Sequence, residues 1–179
     1  MSNTPFPKEA ELRNWASRGM EAKGYLSIDR MPRLRAAAIA AEEQAKVRLS
    51  CYKDEQHRYV ADISAEMVLT LQCQRCLEAC RTELNTHSLL CIVWTEEASK
   101  DLPGSYDPLI TGDVSNLHEL VEDELLLSLP AVAMHEEDCS GGTPRDFGDL
   151  TSEIVEETVS PFSGLDGLLK ASVETKGNE

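Results

Sequence analysis

Two runs of period-two alternation, at residues 62–72 and 84–94, flank the unit Cys73-Gln74-Arg75-Cys76, and nothing else in the chain constrains its fold as tightly. In the first run Ile63, Ala65, Met67, Leu69 and Leu71 point one way, while Asp62, Ser64, Glu66, Thr70 and Gln72 point mostly the other. In the second, Leu84, Thr86, Ser88, Leu90, Ile92 and Trp94 keep the same period. Side chains alternate across a strand, so each run predicts a β-strand with one apolar face, and the C-x2-C unit falls at the tip of the hairpin between them. An earlier strand sets Val47, Leu49 and Cys51 against Lys46, Arg48 and Ser50, with a turn at Asp54-Glu55-Gln56. Three long antiparallel strands with one apolar face need a cover. The expected class is therefore α+β: an antiparallel sheet or partly open barrel with flanking helices and a C-x2-C hairpin tip.

The cover comes from helical segments. Residues 8–18 place Leu12, Trp15 and Ala16 on one side, and Gly19 and Gly24 loosen the chain before a short strand at Tyr25-Leu26-Ser27-Ile28. Pro32 suits a first helical turn, and an Ala-rich run from Leu34 to Ala41 follows. Residues 95–113 read as a loop. Asn116, with Glu119 three positions on, then opens a helix over 116–129 that Pro130 ends. Its buried stripe is Leu117, Leu120, Val121, Leu125 and Leu129; its wet face is Glu119, Glu122 and Asp123. Residues 1–139 thus form a single β-rich domain. Residues 140–179 form a flexible acidic tail with a short docking element near 161–170, carrying Phe162, Leu165, Leu168 and Leu169.

The net charge of −15 is unevenly placed. Residues 1–60 hold 11 basic and 8 acidic side chains, and the remainder hold 6 and 24. The second part repels a phosphate backbone and suits a basic protein partner. Direct contact with RNA needs a local patch, and Arg30, Arg33 and Arg35, with Lys23 nearby, supply it; in that version charge reversal at Arg33 and Arg35 abolishes RNA crosslinking. No apolar run reaches 18 residues and no secretory h-region opens the chain, so a cytoplasmic protein is expected, with no membrane partner. Six cysteines in that setting read as thiols or metal ligands, not as a disulfide framework.

One constellation offers chemistry. A C-x2-C knuckle supplies two thiolates, and His135-x3-Cys139 can supply two more ligands, which makes Cys73, Cys76, His135 and Cys139 a candidate structural zinc site. Closing the 58 residues between Cys76 and His135 costs roughly 4 kcal/mol, and structural zinc returns about 10 kcal/mol or more. Cys80 is a rival ligand. Free structural thiols and thiol–disulfide exchange at Cys73 and Cys76 are the alternatives, though redox work favours a helix N-terminus over strand flanks. Cys51 and Cys91 read as core side chains, His57 as a turn residue, and Trp15 and Trp94 as packing groups. His87 and His118 have no visible partner, and the adjacent carboxylates Glu122, Asp123 and Glu124 diverge around a helix. No catalytic triad can be assembled and no small-molecule substrate is expected.

Leu71-Gln72-Cys73-Gln74-Arg75-Cys76 resembles the signature of the bacterial YceD family of large ribosomal RNA subunit accumulation proteins. Val121-Glu122-Asp123-Glu124 leading to Leu129-Pro130, His135-Glu136-Glu137-Asp138-Cys139, and Pro161-Phe162 with Leu165 through Lys170 match in the same order, so the resemblance spans roughly residues 5–170. It implies a non-enzymatic bacterial factor in 23S rRNA accumulation or processing and large-subunit assembly. Such a factor would bind a ribosomal protein, an assembly factor or 23S rRNA, with Arg30, Arg33, Arg35, Arg75, Phe162, Leu165 and Leu168 as contacts. The resemblance also implies metal binding. His135 stands where some relatives carry cysteine, and Gly141-Gly142-Thr143-Pro144 replaces a further C-x2-C.

Overall fold

The computed structural model describes residues 4–41 and 44–139. Strands Ala45–Lys53 (β4), Tyr59–Gln72 (β5) and Ala79–Val93 (β6) form an antiparallel centre, in which Lys46 lies opposite Glu66 and Gln72 opposite Ala79. The alternation expected along β5 is observed: Ile63, Ala65, Met67, Leu69 and Leu71 are buried, and the residues between them are half-buried or exposed. Earlier in the chain lie Glu9–Ala10 (β1), helix Leu12–Arg18 (α1), Glu21–Leu26 (β2), a 3-10 turn at Ile28–Arg30, helix Pro32–Ala37 (α2) and Ala40–Ala41 (β3). After β6 come helix Glu96–Ser99 (α3), Asp107–Ile110 (β7), Ser115–Asn116 (β8) and helix Leu117–Leu127 (α4).

The main sheet runs β2-β4-β5-β6-β7, with β3 also on β5, and β1 pairs β8 separately. The path ends at β2 and β7, so no barrel closes. Nor is the sheet wholly antiparallel. β7 joins β6 in parallel, Leu90 opposite Asp107, because the chain crosses over through α3 before returning. The stretch read as a plain loop therefore holds a helix and a strand, and Thr95 caps the helix by accepting from the Ala98 N–H.

Helices cover one face. α1 packs on β4 and β5, α4 packs on β5 and β6, and α2 packs on α4. Leu12, Leu34, Leu49, Ile63, Leu69, Leu84, Leu117 and Leu125 meet there, nearly inaccessible to solvent. Burying a large aliphatic side chain contributes about 1.5–3 kcal/mol, so this layer is the main source of stability. The opposite face carries Lys23, Tyr25, Lys46, Arg48, Ser64 and Glu66 in register and has no covering element among the described residues.

Several local expectations change. The first helix is shorter than residues 8–18, because β1 occupies its start. The Ala-rich run stops being helical at Ala38, which is extended, and the Ile39 N–H bonds the Thr70 carbonyl at 2.8 Å. β5 continues past the first residue of β4, and its bare edge captures residues 39–41; the alanines bury too little area to hold a helix against that. Gly24 does not loosen the chain but admits a close neighbour. A Cβ there would lie 2.8 Å from the Phe6 backbone, and the flanking Tyr25 bonds both Thr4 and Phe6. The tail contacts Phe162, Leu165 and Leu168 lie outside the described residues.

Candidate metal centre

Residues 73–78 carry the chain from β5 to β6. The turn is fixed by the Cys73 N–H on the Glu78 carbonyl and the Leu77 N–H on the Cys73 carbonyl, both 2.9 Å. Leu77 takes φ +66°, a left-handed conformation that a branched side chain disfavours. Downstream, α4 ends at Leu127, before Pro130, and residues 130–139 fold back on the turn. The Gln74 N–H bonds the Ala133 carbonyl at 2.8 Å, which starts the docking. Arg75 completes it: its guanidinium donates to Cys139 Sγ at 3.0 Å, to the His135 carbonyl at 3.1 Å and to the Glu137 carbonyl, and it pairs with Asp138. Arg75, expected as a partner contact, is thus a clasp within the chain.

This geometry brings Cys73, Cys76, His135 and Cys139 together, with their ligand atoms all within 4.8 Å of one another. Cys73 Sγ lies 3.6 Å from Cys139 Sγ, and Cys76 Sγ lies 3.5 Å from His135 Nδ1. A zinc tetrahedron has edges of about 3.8 Å between two sulfurs and about 3.6 Å between sulfur and nitrogen, given its usual bond lengths. Those separations fit. The imidazole is oriented as well: its Nε2 donates to the Ala79 carbonyl at 2.9 Å, so that Nδ1 faces the sulfurs and offers its lone pair once the ring is neutral.

The electrostatics are those of a site that gathers negative charge. The Cys76 amide, and then those of Arg75 and His135, hold the Cys73 thiol down to about 5 against the effect of its burial. Burial alone would raise Cys139, yet Arg75, His135 and Cys76 lower it. At Cys76 the Glu78 amide pulls downward, but burial and the neighbouring sulfurs raise it. His135 is raised to about 9, chiefly by Cys139, then by the Ala79 carbonyl and Cys73. Three sulfurs this close resist full ionisation unless a cation joins them. Zinc, if bound, would be held by these four side chains and would supply a rigid cross-link between the two segments.

Cys80, the rival ligand, is buried and directed at the Arg81 carbonyl 3.8 Å away. Cys51 and Cys91 sit in the sheet, and burial pushes the Cys51 thiol up to about 12 and raises Cys91 as well. His57 is a turn residue with φ +64°; His87 meets Asp62, and His118 meets the Phe6 carbonyl. Trp94 is more than half exposed, with Arg13 over its ring, so it is not a packing group.

The arginine patch divides. Arg30 has no ion-pair partner among the described residues, whereas Arg35 pairs with Asp29 at 2.8 Å. Arg33 is committed to α4. Its guanidinium reaches Glu122 at 2.9 Å and Asp123 at 2.7 Å, and Glu122 Oε1 also accepts the Arg33 and Leu34 backbone N–H groups at 2.6 and 3.1 Å. Glu122 is 2% exposed, not on a wet face. It caps α2 from another helix. Glu124 is buried too and accepts from Ser88 and Thr86 of β6. Sequence reading missed both, although Pro32 at a helix start behind Met31, which offers no capping side chain, left an unfilled anion position.

A family model described as large ribosomal RNA subunit accumulation protein YceD matches residues 61–169. A Haemophilus influenzae protein named large ribosomal RNA subunit accumulation protein YceD is 31% identical over 172 residues, covering 94% of this chain and 98% of its own. No solved structure matches the chain.

Proposed function

We propose, on the premise that this chain belongs to the YceD family of large ribosomal RNA subunit accumulation proteins, that it is a non-enzymatic accessory factor in 23S rRNA accumulation and large-subunit assembly. It acts in the cytoplasm by binding a ribosomal protein, an assembly factor or 23S rRNA. Cys73, Cys76, His135 and Cys139 hold a structural zinc at the tip of the β5–β6 hairpin, and the acidic part of the chain favours basic protein partners over naked phosphate. The observation that carries this reading is the donor set. Three sulfurs and one imidazole, with ligand atoms all within 4.8 Å of one another, supply four donors, enough to fill a zinc tetrahedron without the reactive water of a catalytic zinc.

The lowered Cys73 pKa is what an oxidoreductase would also use. Cys73 is fully buried, however, so a substrate disulfide has no path to its sulfur. No described helix is long and apolar enough to cross a membrane. The test is a deletion strain, read by ribosome profiles and by the ratio of precursor to mature 23S rRNA. Loss of 50S subunits, restored by the wild-type gene and not by Cys73→Ser/Cys76→Ser, is the expected result. Normal profiles in the deletion strain reject the assembly role, and disulfide turnover by the purified protein rejects the binding-only role.

A further inference from the structure

Tyr25 lines three clefts, of which two hold most of the nearby cations, while the third, of ≈ 300 Å³, sets Lys46 beside Glu66 and Glu83. The first of the two, of ≈ 460 Å³, is on the uncovered sheet face and is lined by Lys23, Tyr25, Lys46, Arg48, Ser64 and Glu66, among others. The second, of ≈ 490 Å³, lies beyond the end of β2 and takes in Lys8, Tyr25, Ser27, Arg30, Gln44 and His118. Both are of small-ligand size, and they meet at one phenol ring that is 37% exposed. No carboxylate lines the second cleft among the described residues (Glu42 and Glu43, next to Gln44 in sequence, lie outside them). Arg30 there has no ion-pair partner among the described residues. In the first cleft Lys23 and Arg48 share the single carboxylate Glu21, so one positive charge is left over. The Lys46 and Glu66 pair is 3.4 Å long and exposed on both sides, so a phosphate can displace the glutamate at little cost.

Every cation along this track comes from the first 50 residues, the one basic stretch of a chain whose net charge is −15. We infer that the track binds single-stranded RNA: a base stacks on Tyr25, and phosphates on its two sides meet Arg30 and Lys8 in one cleft and Lys46, Lys23 and Arg48 in the other. Cations that follow a backbone, with an aromatic platform between them, are the general means of holding single strands. Ser27, Gln44 and Ser64 add donors and acceptors for base edges. An acidic peptide would use the cations but leave the exposed ring idle. The inference rests on the ribosomal RNA role proposed above and moves the RNA contact away from Arg33 and Arg35, whose guanidiniums are engaged by Glu122, Asp123 and Asp29.

Fluorescence anisotropy of the full chain with a labelled oligouridylate of roughly 12 nucleotides tests this. Wild type is expected to bind with salt-dependent affinity, Arg30→Glu/Lys46→Glu to weaken it about tenfold or more, and Lys53→Glu/Lys100→Glu, two reversals at residues that line neither cleft, less than about twofold. Tyr25→Ala is expected to lose about tenfold and Tyr25→Phe almost nothing, because stacking needs the ring and not the hydroxyl. Ultraviolet crosslinking of the unmodified protein, read by peptide mass, should place the crosslink at Tyr25 and guards against misfolded variants. Equal affinities across the series, no RNA binding by wild type, or a crosslink elsewhere overturns the track. Normal 23S rRNA in a deletion strain alongside the expected affinities rejects the assembly role and leaves the track standing. Full rescue of that strain by Arg30→Glu/Lys46→Glu, with crosslinks elsewhere, does the reverse.

Discussion

At one end of the sheet, three sulfurs and an imidazole join the β5–β6 turn to residues 135–139; on its helical side, one carboxylate joins α4 to α2. Both staples tie stretches far apart in sequence. The thiol staple uses three sulfurs that repel one another when all are ionised, so its strength depends on what it holds. The carboxylate staple is complete within the chain: Glu122 takes two backbone N–H groups and an arginine, and all its partners are present whenever the chain is folded. One junction is therefore conditional and the other is constitutive.

The largest expected effect separates them. Cys73→Ser, or treatment with a strong chelator, is expected to abolish binding of about one zinc per chain. It should also lower the melting temperature by roughly 10 °C or more. Elemental analysis and a thermal scan read both. A chain without zinc that melts unchanged in chelator breaks the comparison, because the thiol cluster would then be as self-sufficient as the carboxylate.

Glu122→Ala should cost about 1–3 kcal/mol, because it leaves the Arg33 and Leu34 amide donors at the start of α2 without their acceptor, while the half-exposed Arg33 guanidinium keeps Asp123. Glu122→Gln should cost less, since its amide oxygen still accepts. Urea titrations of metal-loaded protein give both values, and zinc content should stay unchanged. Equal costs for the two variants would mean that charge, not the hydrogen bonds, holds α2.

Acidity sharpens the contrast within the metal-free protein. Cys73, at about 5 in the fold, stabilises it fully only above the ordinary thiol pKa of 9, and that contribution fades as pH falls through 5. His135, at about 9, contributes fully below its ordinary 6.5 and loses that as pH rises through 9. Between pH 6.5 and 9 the two changes offset, so chelator-treated protein should hold a plateau there and lose stability as pH falls from 6.5 to 5. Zinc, which requires neutral imidazole, should remove the His135 offset, so loaded protein should go on gaining stability up to pH 9; above that, Cys51, at about 12, adds a fall in both forms. Identical pH profiles with and without metal would count against ligation by His135.

The smallest effect is local. Leu77→Gly relieves the left-handed backbone at the turn but frees the unfolded chain, for a net gain of about 0.5–1 kcal/mol. The gain should appear undiminished in the Glu122→Ala background, because the two sites share no partner.

The alternation in β5 and β6, the Asn116 cap and the four metal-ligand candidates are legible in the residues, because period, capping chemistry and ligand spacing are local properties. The parallel return of β7, the strand that interrupts the alanine run, and the roles of Arg75, Glu122 and Glu124 are not. A carboxylate on a helix has the same local pattern whether it faces water or the first turn of another helix. Only the packing of α4 against α2 and β6 decides which, since burying a charge is tolerable only where donors from distant segments converge on it. Sequence by itself determined which elements form and which side chains can ligate; tertiary structure decided which charges are spent inside the fold and which stay free for a partner.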